Sequence, residues 1–169
     1  GKKLNFMGSE IAQLREWDED REQDWFLRQY PLHDAFYAYC CELNDAYHTH
    51  PALWADDYGE DGFVWRQVSG EKDVVYAFER KGDSERMLCV LNLSDERKEA
   101  YPIGLPDATR VKLVLDTDWE RFGGSTPAKA RRWQKLKDER VCLGLPPFSG
   151  QLLVVGGDEQ IADVEGDEL

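Results

Sequence analysis

Six short runs, each closed by a turn signal, dominate the chain after Leu53 and leave few architectures open to it. "GFVWRQV", "DVVYAFER", "MLCVLNLS", "RVKLVLDT", "RVCLGL" and "GQLLVVGG" are rich in β-branched and aromatic residues. "GEKD", "KGDSER", "SDERKE", "LPDAT", "FGGSTP" and "PPFSG" separate them. No helical period lies between these runs, so crossover connections to parallel strands are not available. Short antiparallel strands joined by turns are the expectation, and many of them together make a β-sandwich. Val74, Tyr76 and Phe78 alternate to one strand face, as do Val111, Leu113 and Leu115 on another. The segment "PAKARRWQKLKDE" breaks the pattern and reads as a loop or edge excursion with a basic surface.

The part before Leu53 is organised differently. "KKLNFMG" reads as a short buried strand ending at Gly8, and a loop dense in carboxylates and tryptophan follows. "YPLHDAFYAYCCELNDAYHTHPAL" then carries a clear helical period, with Leu32, Phe36, Tyr39, Cys40, Leu43 and Tyr47 at steps of three and four. Pro31 suits a first helical turn, Asp34 favours the positive end of the helix dipole, and His48, His50 and Pro51 fit its close. Strand, loop and helix make one βα unit, but a parallel strand expects neighbours on both sides and the rest of the chain supplies none. The unit therefore looks like part of something larger. The expected division is residues 1–53 as this unit, 54–156 as the sandwich, and 157–169 as an acidic, disordered tail.

Charge and composition exclude several functions. The 169 residues carry a formal net charge of -13, which opposes phosphate backbones and anionic membranes, so neither nucleic acid nor membrane is an expected partner. No apolar run approaches the roughly 20 residues of a membrane span, and no signal-peptide pattern opens the chain. Cys40, Cys41, Cys89 and Cys142 show neither CxxC nor disulfide spacing and read as buried thiols of a cytoplasmic protein. No cofactor or metal is expected. The loop from Asp18 to Asp24 lacks the glycine and terminal glutamate of a calcium loop, and His48 and His50 fit a helix end better than a ligand pair.

At this point the residues resemble a known family. "GKKLNFMGSEIAQLREW", "DW" and "YPLHDAFYAYCCELNDAYHTHPAL" look like the last strand, loop and helix of the catalytic (β/α)8 barrel of bacterial 1,4-α-glucan branching enzymes, in the α-amylase clan. "MLCVLNLS", "YPIGLP", "VLDTDWERFGGS" and "LPPFSGQLLVV" look like successive strands and turns of that family's C-terminal all-β domain. The resemblance runs in order from Gly1 to about Val155. One local departure is the acidic Asp18, Glu19 and Asp20, where the family usually shows an Asn-His-Asp kind of segment.

The resemblance implies a mainly β fold: a C-terminal antiparallel β-sandwich preceded by the last strand-loop-helix unit of a truncated barrel. It implies a parent glycosyltransferase that cleaves an α-1,4-glucan and forms α-1,6 branches, with the glucan and the rest of the barrel as partners. It also implies three catalytic acids in motifs such as "GxRxDA" and "SHDE", none of which occurs here. A retaining transfer needs two carboxyl groups about 5 Å apart across the sugar, and the expectation is therefore an inactive chain with no catalytic residue.

Loops at the C-terminal end of barrel strands line the active-site face. Glu10, Glu16, Trp17, Asp24 and Trp25 are accordingly the expected substrate-binding residues, the rings for stacking on sugar and the acids for accepting from hydroxyls. Trp119 and Trp133 are candidates for a surface glucan contact, or else for a contact between barrel and sandwich, whereas Trp65 reads as core. A strand edge and helix flank without cover predict self-association through residues 1–30, or disorder there, in the isolated chain. Two other functions fit the same residues: a free-standing glucan-binding module, and a piece of a related hydrolase or debranching enzyme.

Overall fold

The computed structural model describes residues 2–68, 74–82, 84–128 and 131–157. Among them are one α-helix, α1 (Pro31–Thr49), and eight strands: β1 (Phe63–Gln67), β2 (Val75–Lys81), β3 (Arg86–Asn92), β4 (Lys98–Gly104), β5 (Arg110–Asp116), β6 (Trp133–Lys135), β7 (Arg140–Leu145) and β8 (Ser149–Gly156). A six-stranded sheet runs in the order β1-β2-β3-β8-β5-β6, and β4 pairs with β7 in a second sheet; every ladder is antiparallel. The mainly β sandwich expected from the turn-punctuated runs is present. The expected acidic tail falls outside the described residues, apart from Gly157.

The core between the sheets follows from alternation. Val75, Ala77, Leu88, Val90, Val111, Leu153 and Val155 point inward from the large sheet, while Ile103, Val141, Leu143 and Leu145 meet them from the small one. Each such side chain contributes about 1.5–3 kcal/mol by leaving water. On β2 Val75, Ala77 and Glu79 share one buried face, and Tyr76, Phe78 and Arg80 share the outer one, where Arg80 is buried beside Asp57. A bulge between Leu113 and Leu115 interrupts the β5 alternation. Val111 therefore serves the sandwich core, while Leu115, with Val114, serves a second cluster on the outer face.

That second cluster fixes the first fifty residues to the sandwich. Ala46 of α1, together with Ala52 and Leu53 from the 3-10 turn Pro51–Leu53, packs on Met87, Val114, Leu115, Trp119 and Leu152. Tyr39 and Tyr47 close its edge. The large sheet is thus covered on both faces, by β4 and β7 on one and by α1 on the other. Only Ala46 is buried along the helix, however, and Leu32, Phe36 and Leu43 of the expected apolar stripe stand exposed.

Residues 2–6 run without regular structure, so the expected opening strand is not formed. A strand is held by its ladder, and no described strand lies beside this one to supply it. The segment is instead held by charge. Lys3 donates to the Asp57 carboxylate and to the Leu53 carbonyl, and Lys2 lies 3.2 Å from the same carboxylate. Arg80 of β2 binds Asp57 at 2.9 Å, which makes that buried acid the knot between the N-terminal segment and the sandwich.

Two expectations about burial are corrected. Trp65 is 52% exposed, because β1 is an edge strand and its ring rests on Phe63, Tyr76 and Phe78 along the outer face. Cys41 and Cys142 are exposed, on the helix flank and on the outward positions of β7, while Cys40 and Cys89 are partly buried; all four are free. Cys89 packs against the second cluster, and burial pushes its thiol up to about 12.

Candidate functional site

The loop between residues 8 and 30 is built around one arginine and one glutamine. Arg15 Nε donates to both oxygens of Asp24, at 3.0 and 2.9 Å, and its Nη2 donates to the Glu22 carbonyl. Gln13 Oε1 accepts from the Asp24 backbone N–H at 2.8 Å, and its Nε2 donates to the Arg15 carbonyl at 3.2 Å. These bonds close the loop on itself across nine to eleven residues. Ile11, wholly buried, anchors it against the helix, where His33 Nδ1 lies 2.7 Å from the Ile11 carbonyl. The sequence shows the charged residues of "REW" and "DW" near two tryptophans, but it does not say that Arg15 and Asp24 face each other.

The five expected binding residues divide into three groups. Glu16 and Trp17 share one hollow with Phe6, Met7, Ser9 and Ala12. There the Trp17 ring is 41% exposed and meets the edge of Phe6 at a centroid distance of 5.8 Å and an interplanar angle of 71°. Asp24 lines a neighbouring, more apolar hollow with Leu14, Phe26, Tyr30 and Leu32. Its carboxylate is committed to Arg15, which makes it a tie of the loop rather than a free acceptor. Glu10 and Trp25 line neither hollow. Glu10 is half-buried in the 3-10 turn Ser9–Ile11, and Trp25, 42% exposed, begins the turn Trp25–Gln29. The sequence reading missed Phe6, which supplies the Trp17 ring with its wall.

Chemically the hollow offers an aromatic face and one open carboxylate. That suits hydroxyl recognition and stacking. It does not suit acid/base transfer, since Asp24 is neutralised by a guanidinium and no second carboxylate in the hollow stands across from Glu16. Among the described residues no group of three His, Cys, Asp or Glu side chains is placed to hold a metal ion, and no helix is long and apolar enough to cross a membrane.

The sandwich tryptophans behave differently from each other. Trp119 is 2% exposed and belongs to the second cluster beside Phe122, with ring centroids 5.9 Å apart. As a surface glucan contact it is corrected: it is the packing contact between α1 and the large sheet, and its indole is out of reach of a polymer. The tight turn after it holds it there. Asp118 accepts from the Ser125 N–H at 3.3 Å and from the hydroxyls of Ser125 and Thr126, which outweigh burial and lower its carboxyl. Trp133 is half-exposed on the edge strand β6, with the Arg110 guanidinium 4.3 Å and the Lys112 ammonium 5.0 Å from its ring centre. Those cations already stack on the indole, so it is not a bare platform for sugar.

Residues 65–156 match the family described as "Alpha amylase, C-terminal all-beta domain". Over 156 residues the chain is 43% identical to the 1,4-alpha-glucan branching enzyme GlgB of Aliivibrio fischeri, an alignment covering 88% of this chain and 22% of that protein. The branching enzyme GlgB of Oceanobacillus iheyensis is 39% identical over 158 residues, covering 88% of this chain and 25% of the relative. The chain thus spans no more than about a quarter of the length of these curated relatives. Among solved structures, trehalulose synthase MutB from Pseudomonas mesoacidophila superposes with a TM-score of 0.47 at 23% identity, over 72% of this chain and 18% of that one. Sequence and antiparallel architecture agree: the chain belongs to the family of alpha amylase C-terminal all-beta domains and is homologous, along most of its length, to bacterial 1,4-alpha-glucan branching enzymes.

Proposed function

We propose that this chain serves as the C-terminal part of a 1,4-α-glucan branching enzyme, a cytoplasmic glycosyltransferase that forms α-1,6 branches, and that the chain alone is inactive. The observation that carries this reading is the 43% identity over 156 residues to a branching enzyme of which they make up 22%. The site chemistry supports the second half, because the loop supplies recognition groups and no opposed carboxylate pair. In this reading residues 1–53 complete a catalytic barrel, residues 54–156 brace it, and Glu16 and Trp17 touch glucan at the edge of the active site. Amylose incubated with the purified chain should gain no α-1,6 linkages; their appearance in the debranched product profile would overturn the reading.

The reading also accounts for the exposed apolar side chains near the start. Leu4, Phe6, Met7, Leu14, Phe26, Tyr30 and Leu32 are each more than half exposed, a concentration that monomers rarely leave uncovered. In isolation this face is expected to pair with another copy through residues 1–30. Sedimentation should show dimers that dissociate on dilution and are lost in the Leu14→Glu/Leu32→Glu double variant. A wild-type chain that stays monomeric, with its amides there protected from exchange, would refute the pairing.

A further inference from the structure

The large sheet ends in two edge strands that are finished differently. β6, on one side, spans only Trp133–Lys135 and lies among Arg131, Arg132, Lys135 and Lys137. Shortness and cations are common means by which an edge strand is kept from pairing with another chain. β1, on the other side, is "FVWRQ" and has neither Lys nor Pro. Its single charge, Arg66, is turned to the inner face, onto Glu79 at 3.0 Å.

The phase of the β1–β2 ladder tells which backbone groups face outward. The Lys81 N–H donates to the Gly62 carbonyl at 3.2 Å, and these residues lie directly opposite in the register that pairs Phe63 with Arg80 and Val64 with Glu79. Opposed residues of an antiparallel pair alternate between hydrogen-bonded and non-hydrogen-bonded. Gly62 and Val64 therefore bond to β2, while the N–H and C=O of Phe63 and of Trp65 point away from it. Among the described residues no strand lies on that side, and no backbone hydrogen bond reaches either residue there. The side chains of the same two residues share the outer face. Phe63 stacks on Phe78 at a centroid distance of 5.0 Å, and the half-exposed Trp65 ring meets Phe63 edge-on at 5.1 Å.

We propose that β1 is a docking edge for β1 of a second copy, the two strands running antiparallel about a two-fold axis at Val64. In this register Phe63 of each copy lies opposite Trp65 of the other, and each such pair exchanges both of its N–H···O bonds. The outward groups of both strands are then satisfied together, and aromatic side chains meet across the seam. A slip by one residue would set these groups against others already bonded to β2, and a slip by two would set Phe63 against Gln67 or Trp65 against Asp61. The fit is thus to the chain's own sequence. No like charges are opposed, since Arg66 falls beside Gly62 of the other copy, although each chain carries a net charge of -13. The bulge after Trp65 bends the strand and keeps the seam short. This pairing is separate from that of residues 1–30 and, being smaller than a standard interface, forms at higher concentration.

The test uses the full chain, labelled with nitrogen-15, in the Leu14→Glu/Leu32→Glu background that removes the other pairing. Amide exchange at residues 63–65 is followed from micromolar to millimolar protein. The Val64 amide, bonded within the ladder, should be protected throughout and reports that β1 stays in place. The Phe63 and Trp65 amides should exchange freely in dilute solution and slow several-fold as concentration rises. Phe63→Pro removes an outward donor without touching the β2 ladder, and should cut the slowing at Trp65 several-fold while Val64 stays protected. Trp65→Lys leaves the backbone groups in place but charges the edge, and should do the same at Phe63. Trp65 exchange independent of concentration would overturn the proposal, whether fast throughout, as on an edge that pairs with nothing, or slow throughout, as on an edge covered within one chain. So would slowing that neither variant changes.

Discussion

Arg86 Nη2 reaches both oxygens of Glu79, at 3.0 and 3.1 Å, across the ladder between β3 and β2. Glu79 is wholly buried, and Arg66 of β1 binds the same carboxylate at 3.0 Å, so three strands of the sheet share one charge. A buried carboxylate that loses a partner keeps its desolvation cost without the attraction that offset it. Arg86→Met is therefore expected to destabilise the chain by up to about 3 kcal/mol, tempered by the surviving Arg66. Urea unfolding checks this, and Glu79→Met with Arg86→Met should recover part of the loss.

Acid should undo the knot at Asp57. The hydrogen bond from Lys3, with help from Lys2 and against the opposing effect of burial, holds its carboxyl down to about 2. A folded-state value below the ordinary one, about 3.9, stabilises the fold above the ordinary value, and the benefit is lost as pH falls toward the folded value. The melting temperature should drop between about pH 4 and pH 2 more steeply in the wild type than in Asp57→Asn. Parallel curves would show that the Lys2 and Lys3 contacts carry no weight.

Two tryptophans separate packing from surface. Trp119→Ala opens the seam between α1 and the sheet and should cost about 3–5 kcal/mol. Trp133→Ala removes a half-exposed ring stacked on cations and should cost about 1 kcal/mol. Equal losses in denaturant titrations would contradict the different burial of the two rings.

The turn that seats Trp119 has a position no side chain can share. A Cβ on Gly124 would lie 2.1 Å from the Asp118 backbone carbonyl oxygen, where neither side can give way without opening the turn. Gly124→Ala should destabilise by about 1–3 kcal/mol and raise exchange at the Thr126 amide, which donates to that carbonyl. An unchanged Thr126 exchange rate would mean the turn survives the methyl group.

The sandwich was legible because its signals are local. Alternation and turn residues report strands, and the helix announced itself through Pro31 and a three-four period. The bulge in β5 was not legible, since nothing in "RVKLVLD" marks an extra residue, and its effect appears only once β8 pairs beside it. Trp65 was misread because periodicity reports which face a residue takes, not whether its strand lies at an edge. In the loop, the expected residues Glu16 and Trp17 fall together in one hollow because they are adjacent in sequence. The sequence reading gave Asp24 a free carboxylate because the partner, Arg15, lies nine residues away and only the folded loop brings the two together.

The strand order has a consequence for how the molecule comes into being. β8, the last of the described strands in chain order, lies between β3 and β5 at the heart of the large sheet. During synthesis β1, β2 and β3 can pair as they emerge, but β5 and β6 have no place to join until Gly156 has left the ribosome. Pairings over such long sequence separations form late and slowly. Until then two open sheet edges face the crowded cell, one of them lined by Met87, Leu88 and Val90. The nascent chain is therefore most exposed to aggregation in the interval after β3 has emerged and before β8 is free to pair, and folding helpers would matter most in that interval.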